Sequence, residues 1–338
     1  MSGAMLTIGG LTLYKSALVI ALGAAACFTL TYALYTSHGG LSAAAWLFAA
    51  ADIVLSVLLT RFLHFYCHSE QYPSFIAAMT DYSVGGYCIP GLVPAALGAA
   101  GLVKLLGLTR NAARLLDCFA PGAALGVAFI RLSALFNTTC RGKVAVTTPL
   151  LQHLPLASPV QNAAGGVEYR FATFFVEFLM MLVVFLLVLR FFWRRRRRAM
   201  RAEQPRDGNA ALICLLLCSA VEMLMDSTRY DSSFFQFNGF ISVGQISAAV
   251  CVLAVLVVYS VRSVRANGRR GWHWAIWGGW FIGLVAAGLS EYFVQRHGNW
   301  YLGCYAVMAL GCVIMTLTPW AAYLSVCKKK SRRRSRAA

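Results

Sequence analysis

Glu222, Asp226 and Arg229 stand at i, i+4 and i+7 along a run of otherwise apolar residues, so a helix there projects all three from one face. Similar groups occupy other apolar runs: Asp52 with Arg61, Asp117 with Arg131, and Glu177 alone. An ionised side chain at mid-bilayer costs ~2.5–3.5 kcal/mol on insertion scales, so such groups pair with one another or line a wet cavity. The arginines suit one chemistry in particular. A guanidinium grips phosphate through parallel N–H···O bonds, so Arg61, Arg131 and Arg229 around an outward-opening cavity would suit the phosphate of a lipid. The competing reading is a structural ion-pair network between helices; it is strongest for Asp117, which lies beside Arg114 at a span end.

The elements that must position these residues follow from composition. Of 338 residues, 59% are hydrophobic and 12% charged, and the mean hydropathy is +0.66. That excludes a water-soluble enzyme, a disordered chain and a secreted disulfide scaffold, and it predicts an all-α, polytopic transmembrane helical bundle. Apolar windows of about 20 residues fall at 11–35, 43–63, 87–107, 116–136, 172–193, 209–227, 241–261, 272–292 and 301–326, which predicts about nine spans.

A formal charge of +18 would suggest nucleic acid on a soluble protein. Here the basic residues follow apolar runs, in clusters at 190–206, 262–270 and 328–336. With the end of the fifth span cytoplasmic, these clusters join Lys104, Arg110 and Arg114 on one side, so that 22 of the 30 basic residues are cytoplasmic. The N-terminus is then outside and the C-terminus inside. No nucleic-acid partner is expected, because no aromatic-interleaved binding domain accompanies the Arg194 to Arg198 run; anionic lipid headgroups suit it better. Arg141 falls in an outer loop. The first span lacks a basic segment before it and reads as retained rather than as a cleaved signal peptide.

Eleven cysteines show neither CxxC nor histidine-paired spacing, so no metal is expected, and most sit in apolar runs as small hydrophobes. His64 and His68 follow Arg61 at the end of the second span.

Several segments recur in a familiar order. They are L-T-L-Y at 11–14, T-R-F-L-H-F-Y at 60–66, the pair Gly85-Gly86, and C-F-A-P-G-A-A-L-G at 118–126. I-R-L-S-A-L-F-N-T-T-C-R-G follows at 130–142, then T-F-F-V-E at 173–177 and S-V-G-Q at 242–245, with ten residues between it and the acid position Asp231. Over residues 11–262 this order resembles the bacterial prolipoprotein diacylglyceryl transferases, integral membrane enzymes that move diacylglyceryl from phosphatidylglycerol to a lipoprotein cysteine. The resemblance implies catalytic roles for Arg131, Glu177, Asp226 and Arg229. It implies substrate contacts for Tyr14, Arg61, Gly85, Gly86, Asn137, Gly142 and Gln245, with no cofactor and no metal.

The departures from the family pattern bear on chemistry. A histidine position reads Pro90, an arginine position reads Glu222, and a signature asparagine and glutamate have become Ala134 and Thr139. His64 or His68 would have to replace the lost base. Two functions follow as expectations: a diacylglyceryl transferase, or a non-catalytic phospholipid-binding or accessory protein on the same fold. The expected partners are phosphatidylglycerol or another anionic phospholipid, prolipoprotein signal peptides, and the bacterial plasma (inner) membrane. Residues 1–265 would form the family-like membrane domain, 266–327 an added two-helix hairpin, and 328–338 a basic cytoplasmic tail.

Overall fold

The computed structural model describes residues 4–8, 11–80, 86–161, 165–200, 207–235, 238–297 and 300–334. Its helices are α1 Lys15–Thr36, α2 Ser42–Cys67, α3 Phe75–Thr80, α4 Leu92–Leu105, α5 Ala112–Ser133, α6 Pro149–Gln152, α7 Thr173–Met200, α8 Asn209–Thr228, α9 Val243–Asn267, α10 Trp272–Arg296 and α11 Tyr301–Arg334. Three antiparallel hairpins join β1 Ala4–Ile8 to β2 Leu11–Tyr14, β3 Ala157–Gln161 to β4 Val167–Phe171, and β5 Phe234–Phe235 to β6 Asn238–Ser242. Helix dominates because a backbone crossing hydrocarbon has no water to bond and must satisfy its polar groups within each segment.

All nine predicted runs carry a helix, and seven of the described helices are long and apolar enough to cross a membrane. The third run is shorter than expected, because a 3₁₀ turn at Ile89–Gly91 precedes a 14-residue α4. Pro90, which has no N–H to donate, occupies that turn. The eighth, α10, reaches 25 residues but mixes tryptophans and glycines with Glu291.

The chain divides into two compact units, Met1–Cys214 with Thr228–Ser233, and Leu215–Ser227 with Phe234–Ala338. In the first, α1 and α5 approach so closely that a Cβ on Gly23 would lie 2.3 Å from Phe129 Cβ, and one on Gly122 would lie 2.6 Å from Cys27 O. Small residues permit such backbone contact, the usual basis of helix association in lipid. Beside this contact, Leu34, Phe48, Val103, Leu115 and Phe192 form a buried cluster. Asp117, also buried, accepts from the backbone N–H of Gly208 at 2.7 Å, Ala210 at 2.7 Å and Ala211 at 3.0 Å. It thereby caps the N-terminus of α8, where a carboxylate complements the helix dipole. Asp117 is thus a structural cap, as its position at a span end suggested.

In the second unit α9, α10 and α11 pack together. A Cβ on Gly283 would lie 2.8 Å from Gly311 O, and one on Gly311 2.8 Å from Gly283 O, so the two glycines let α10 and α11 touch backbone to backbone. At the other end of the same bundle Ser263 and Ser325 hydroxyls meet at 2.7 Å.

Candidate functional site

The signature segment leaves α5 through a 3₁₀ turn, Ala134–Phe136. Asn137 then builds the next turn, its Oδ1 accepting from Thr139 N–H at 3.0 Å and from the Thr139 hydroxyl at 2.6 Å. From there the chain runs as a pseudo-strand between two neighbours. Gly142 N–H donates to Phe171 O at 2.8 Å, while Lys143 N–H reaches Thr228 O at 2.9 Å and Tyr230 N–H reaches Arg141 O at 3.0 Å. Gly142 is required at this crossing, since a Cβ there would sit 2.8 Å from Phe171 Cβ. The signature loop therefore ties the start of α7 to the end of α8.

These ties bring three charged residues together. Glu177, fully buried on α7, presents Oε2 to Arg131 Nε at 3.1 Å and Oε1 to Arg229 Nε at 3.3 Å. Both arginines are themselves less than a tenth exposed. One carboxylate thus shares its two oxygens between two guanidiniums, which leaves the trio cationic. In a low-dielectric setting that excess attracts an anion strongly.

Cys140 completes the cluster. Its Sγ accepts from Arg131 Nη1 at 3.6 Å and Arg229 Nη1 at 3.8 Å. Its backbone takes φ 55°, and among the described residues it is the sole non-glycine in that left-handed region. Such a conformation costs about 1–3 kcal/mol and persists where surrounding contacts impose it. Here the Asp231 carboxylate does so, accepting Cys140 N–H at 2.8 Å. Burial pushes the Cys140 thiol up from its ordinary value, and the two arginines pull against that shift. Tyr230 is likewise raised, by burial first and then by Asp231.

Arg141 departs from expectation. Read from sequence it lies in an outer loop; in the structure it is 4% exposed, with Nη2 donating to Asn137 O at 2.8 Å and its guanidinium 4.3 Å from the Phe174 ring centroid. The pseudo-strand pairing on both sides of residue 142 turns this part of the loop inward, which spacing along the chain does not reveal. Neither Cys140 nor Arg141 was singled out for the site from sequence. The available signal was their position inside the signature, between Asn137 and Gly142.

The other expected residues lie elsewhere. In the first unit, buried Arg61 donates from Nε to Ala78 O at 2.6 Å and from Nη1 to Gly86 O at 2.9 Å, and it lies over the Tyr72 and Tyr87 rings. It clasps the segment after α2. Gly86, at φ +91°, carries the His64 imidazole against its Cα, where a Cβ would lie 2.3 Å from His64 Cε1. His64 also stacks on His68 and lies 3.2 Å from the Tyr72 hydroxyl. Tyr14, at the start of α1, is 51% exposed. Gly85 falls outside the described residues.

In the second unit, Asp226 accepts a hydrogen bond from the Ser242 hydroxyl. The S-V-G-Q motif forms a capping box on α9: Ser242 Oγ accepts from Gln245 N–H at 3.1 Å, and Gln245 Oε1 accepts from Ser242 N–H at 3.1 Å. The Gln245 amide also donates to Glu291 Oε2 at 3.0 Å. The site residues near Glu177 and those near Ser242 thus belong to different units.

No curated protein gives a significant match to this chain. The family model for prolipoprotein diacylglyceryl transferase matches residues 4–261, a span that contains the Arg131, Glu177 and Arg229 cluster and the capping box at Ser242, and the chain belongs to that family.

Proposed function

We propose that this protein transfers diacylglyceryl from phosphatidylglycerol to the lipobox cysteine of a prolipoprotein, at the cluster of Arg131, Glu177 and Arg229. The observation that carries this reading is the buried carboxylate of Glu177 with one guanidinium on each oxygen, joined to the signature segment through Arg131 and cationic overall. In the reaction the sulfur of the acceptor bonds to the glycerol carbon, the carbon–oxygen bond breaks with its electron pair leaving on phosphate, and the thiol proton ends on the departing glycerol phosphate. Arg131 and Arg229 stabilise that leaving charge, and Glu177 holds them in place. Asn137 and Gly142 shape the loop beside them. Arg61 holds Gly86 and Tyr72 together after α2, and in the other unit Asp226 and Gln245 brace the start of α9. Orientation follows the basic clusters, with the N-terminus outside and the C-terminus cytoplasmic in a bacterial plasma membrane.

A second reading is favoured by one substitution. Pro90 stands where the family carries a histidine, and losing a base stops proton transfer more readily than it stops phosphate binding. The protein would then bind phospholipid without turnover. Incubating purified protein with phosphatidylglycerol and a lipobox peptide separates the two. A diacylglyceryl mass gain on the peptide cysteine supports transfer, whereas lipid retention without that gain supports binding alone. A reporter fused after Arg194 that maps outside the cell would overturn the orientation.

A further inference from the structure

We infer that Arg141 is a phosphate-binding residue of this site, taking an anionic oxygen of the donor phospholipid alongside Arg131 and Arg229; this rests on the lipid-binding reading above.

The argument begins with an unmet demand. Arg141 is 4% exposed, and its Nε and Nη1 have no hydrogen-bond partner, while Nη2 alone reaches Asn137 O. Among the described residues no carboxylate stands within ion-pair distance of it. Nearly all buried polar groups in proteins are satisfied, and a charged donor left unmet costs several kcal/mol. Stacking on Phe174 at 4.3 Å compensates only in part, since cation–π contacts contribute roughly 0.5–2 kcal/mol. Burial also lowers its pKa, the sign that the charged form lacks solvation here. A group so placed is completed by an anion.

Its neighbours indicate which anion. Arg141 adjoins Cys140, whose sulfur touches both Arg131 and Arg229, and its stacking partner Phe174 lies one helical turn before Glu177 on α7. The nearby carboxylates are already engaged: Glu177 by two arginines, Asp231 by Cys140 N–H. Two guanidiniums therefore share the Glu177 carboxylate while the third, Arg141, has none of its own among the described residues, a charge excess that suits phosphate. An aliphatic or neutral headgroup would leave it uncompensated.

The test uses full-length protein and compares retention of phosphatidylglycerol with that of diacylglycerol, which has the same chains but no phosphate, in native mass spectrometry. Arg141→Gln should weaken phosphatidylglycerol retention about tenfold, the value of one charge-assisted hydrogen bond, and leave diacylglycerol unchanged. Arg141→Lys, which keeps the charge, should fall between. Arg141→Met should hold or raise the thermal midpoint of the delipidated protein, because it removes a buried unmet charge. Equal loss of both lipids with a lowered midpoint for Met would make Arg141 a structural residue and overturn the proposal, as would unchanged phosphatidylglycerol retention. Displacement of the lipid by inorganic phosphate alone would reassign the site to free phosphate. Peptide modification by wild type is scored separately, so Arg141-dependent binding without transfer overturns only the transferase reading.

Discussion

Arg131 and Glu177 meet at 3.1 Å between α5 and α7, the arginine side chain 3% exposed and the glutamate fully buried. Each ion would be costly alone in that setting, and each exists there because the other does. Arg229 reaches the second oxygen of the same carboxylate from the end of α8, so the pair is also a junction that fixes where two positive charges stand.

Glu177→Gln should therefore be strongly destabilising, by about 3–5 kcal/mol, the cost of removing one partner of a buried ion pair. Thermal unfolding in detergent checks this. A midpoint equal to wild type would mean that the two guanidiniums find other anions and that Glu177 does not position them.

Gly86→Ala should destabilise more than Gly107→Ala. Both positions have positive φ, where an L side chain is strained, but a Cβ on Gly86 also collides with His64 whereas Gly107 faces open space. Adding His64→Ala to Gly86→Ala should recover the steric part. A purely additive double mutant would show that the imidazole does not rest on this glycine.

Ser242→Ala should cost about 1 kcal/mol for the lost α9 cap and more because Asp226 loses the Ser242 hydroxyl as a donor. Ser242→Thr keeps the hydroxyl and should restore most of it. Equal unfolding midpoints for Ala and wild type would remove the capping box from the account of this motif.

Half-buried Cys140 should be alkylated more slowly than exposed Cys327 at neutral pH, since desolvation raises the Cys140 thiol. A pKa higher in the folded than in the unfolded chain stabilises the fold below the ordinary thiol value and loses that contribution as pH rises through the folded value. Cys140→Ser, which has no thiol to ionise, should accordingly lose less stability at alkaline pH than wild type. Rates of iodoacetamide labelling at Cys140 equal to those at Cys327 would contradict the burial argument.

Hydropathy and charge placement alone determine a great deal about this protein. A run of about 20 apolar residues has one stable form in lipid, a helix, so the helices at 15–36, 42–67, 173–200 and 243–267 were legible from composition. The residues that must find charged partners were legible too, because ionised side chains in apolar runs are kept paired or hydrated, and Arg131, Glu177 and Arg229 all belong to that class. Tertiary structure decided which of them meet. Asp117 and Arg131 share α5, yet one caps α8 and the other joins Glu177, a division set by which end of the helix each occupies. Arg61, an equal candidate by sequence, serves two carbonyls of its own unit instead. Arg141 is the clearest case: its neighbours along the chain are polar and its segment is short, so nothing local buries it. Only the pairing of residues 140–143 with Phe171 on one side and Thr228 to Tyr230 on the other carries it inward, and those hydrogen bonds join segments distant in sequence, whose meeting no local pattern encodes.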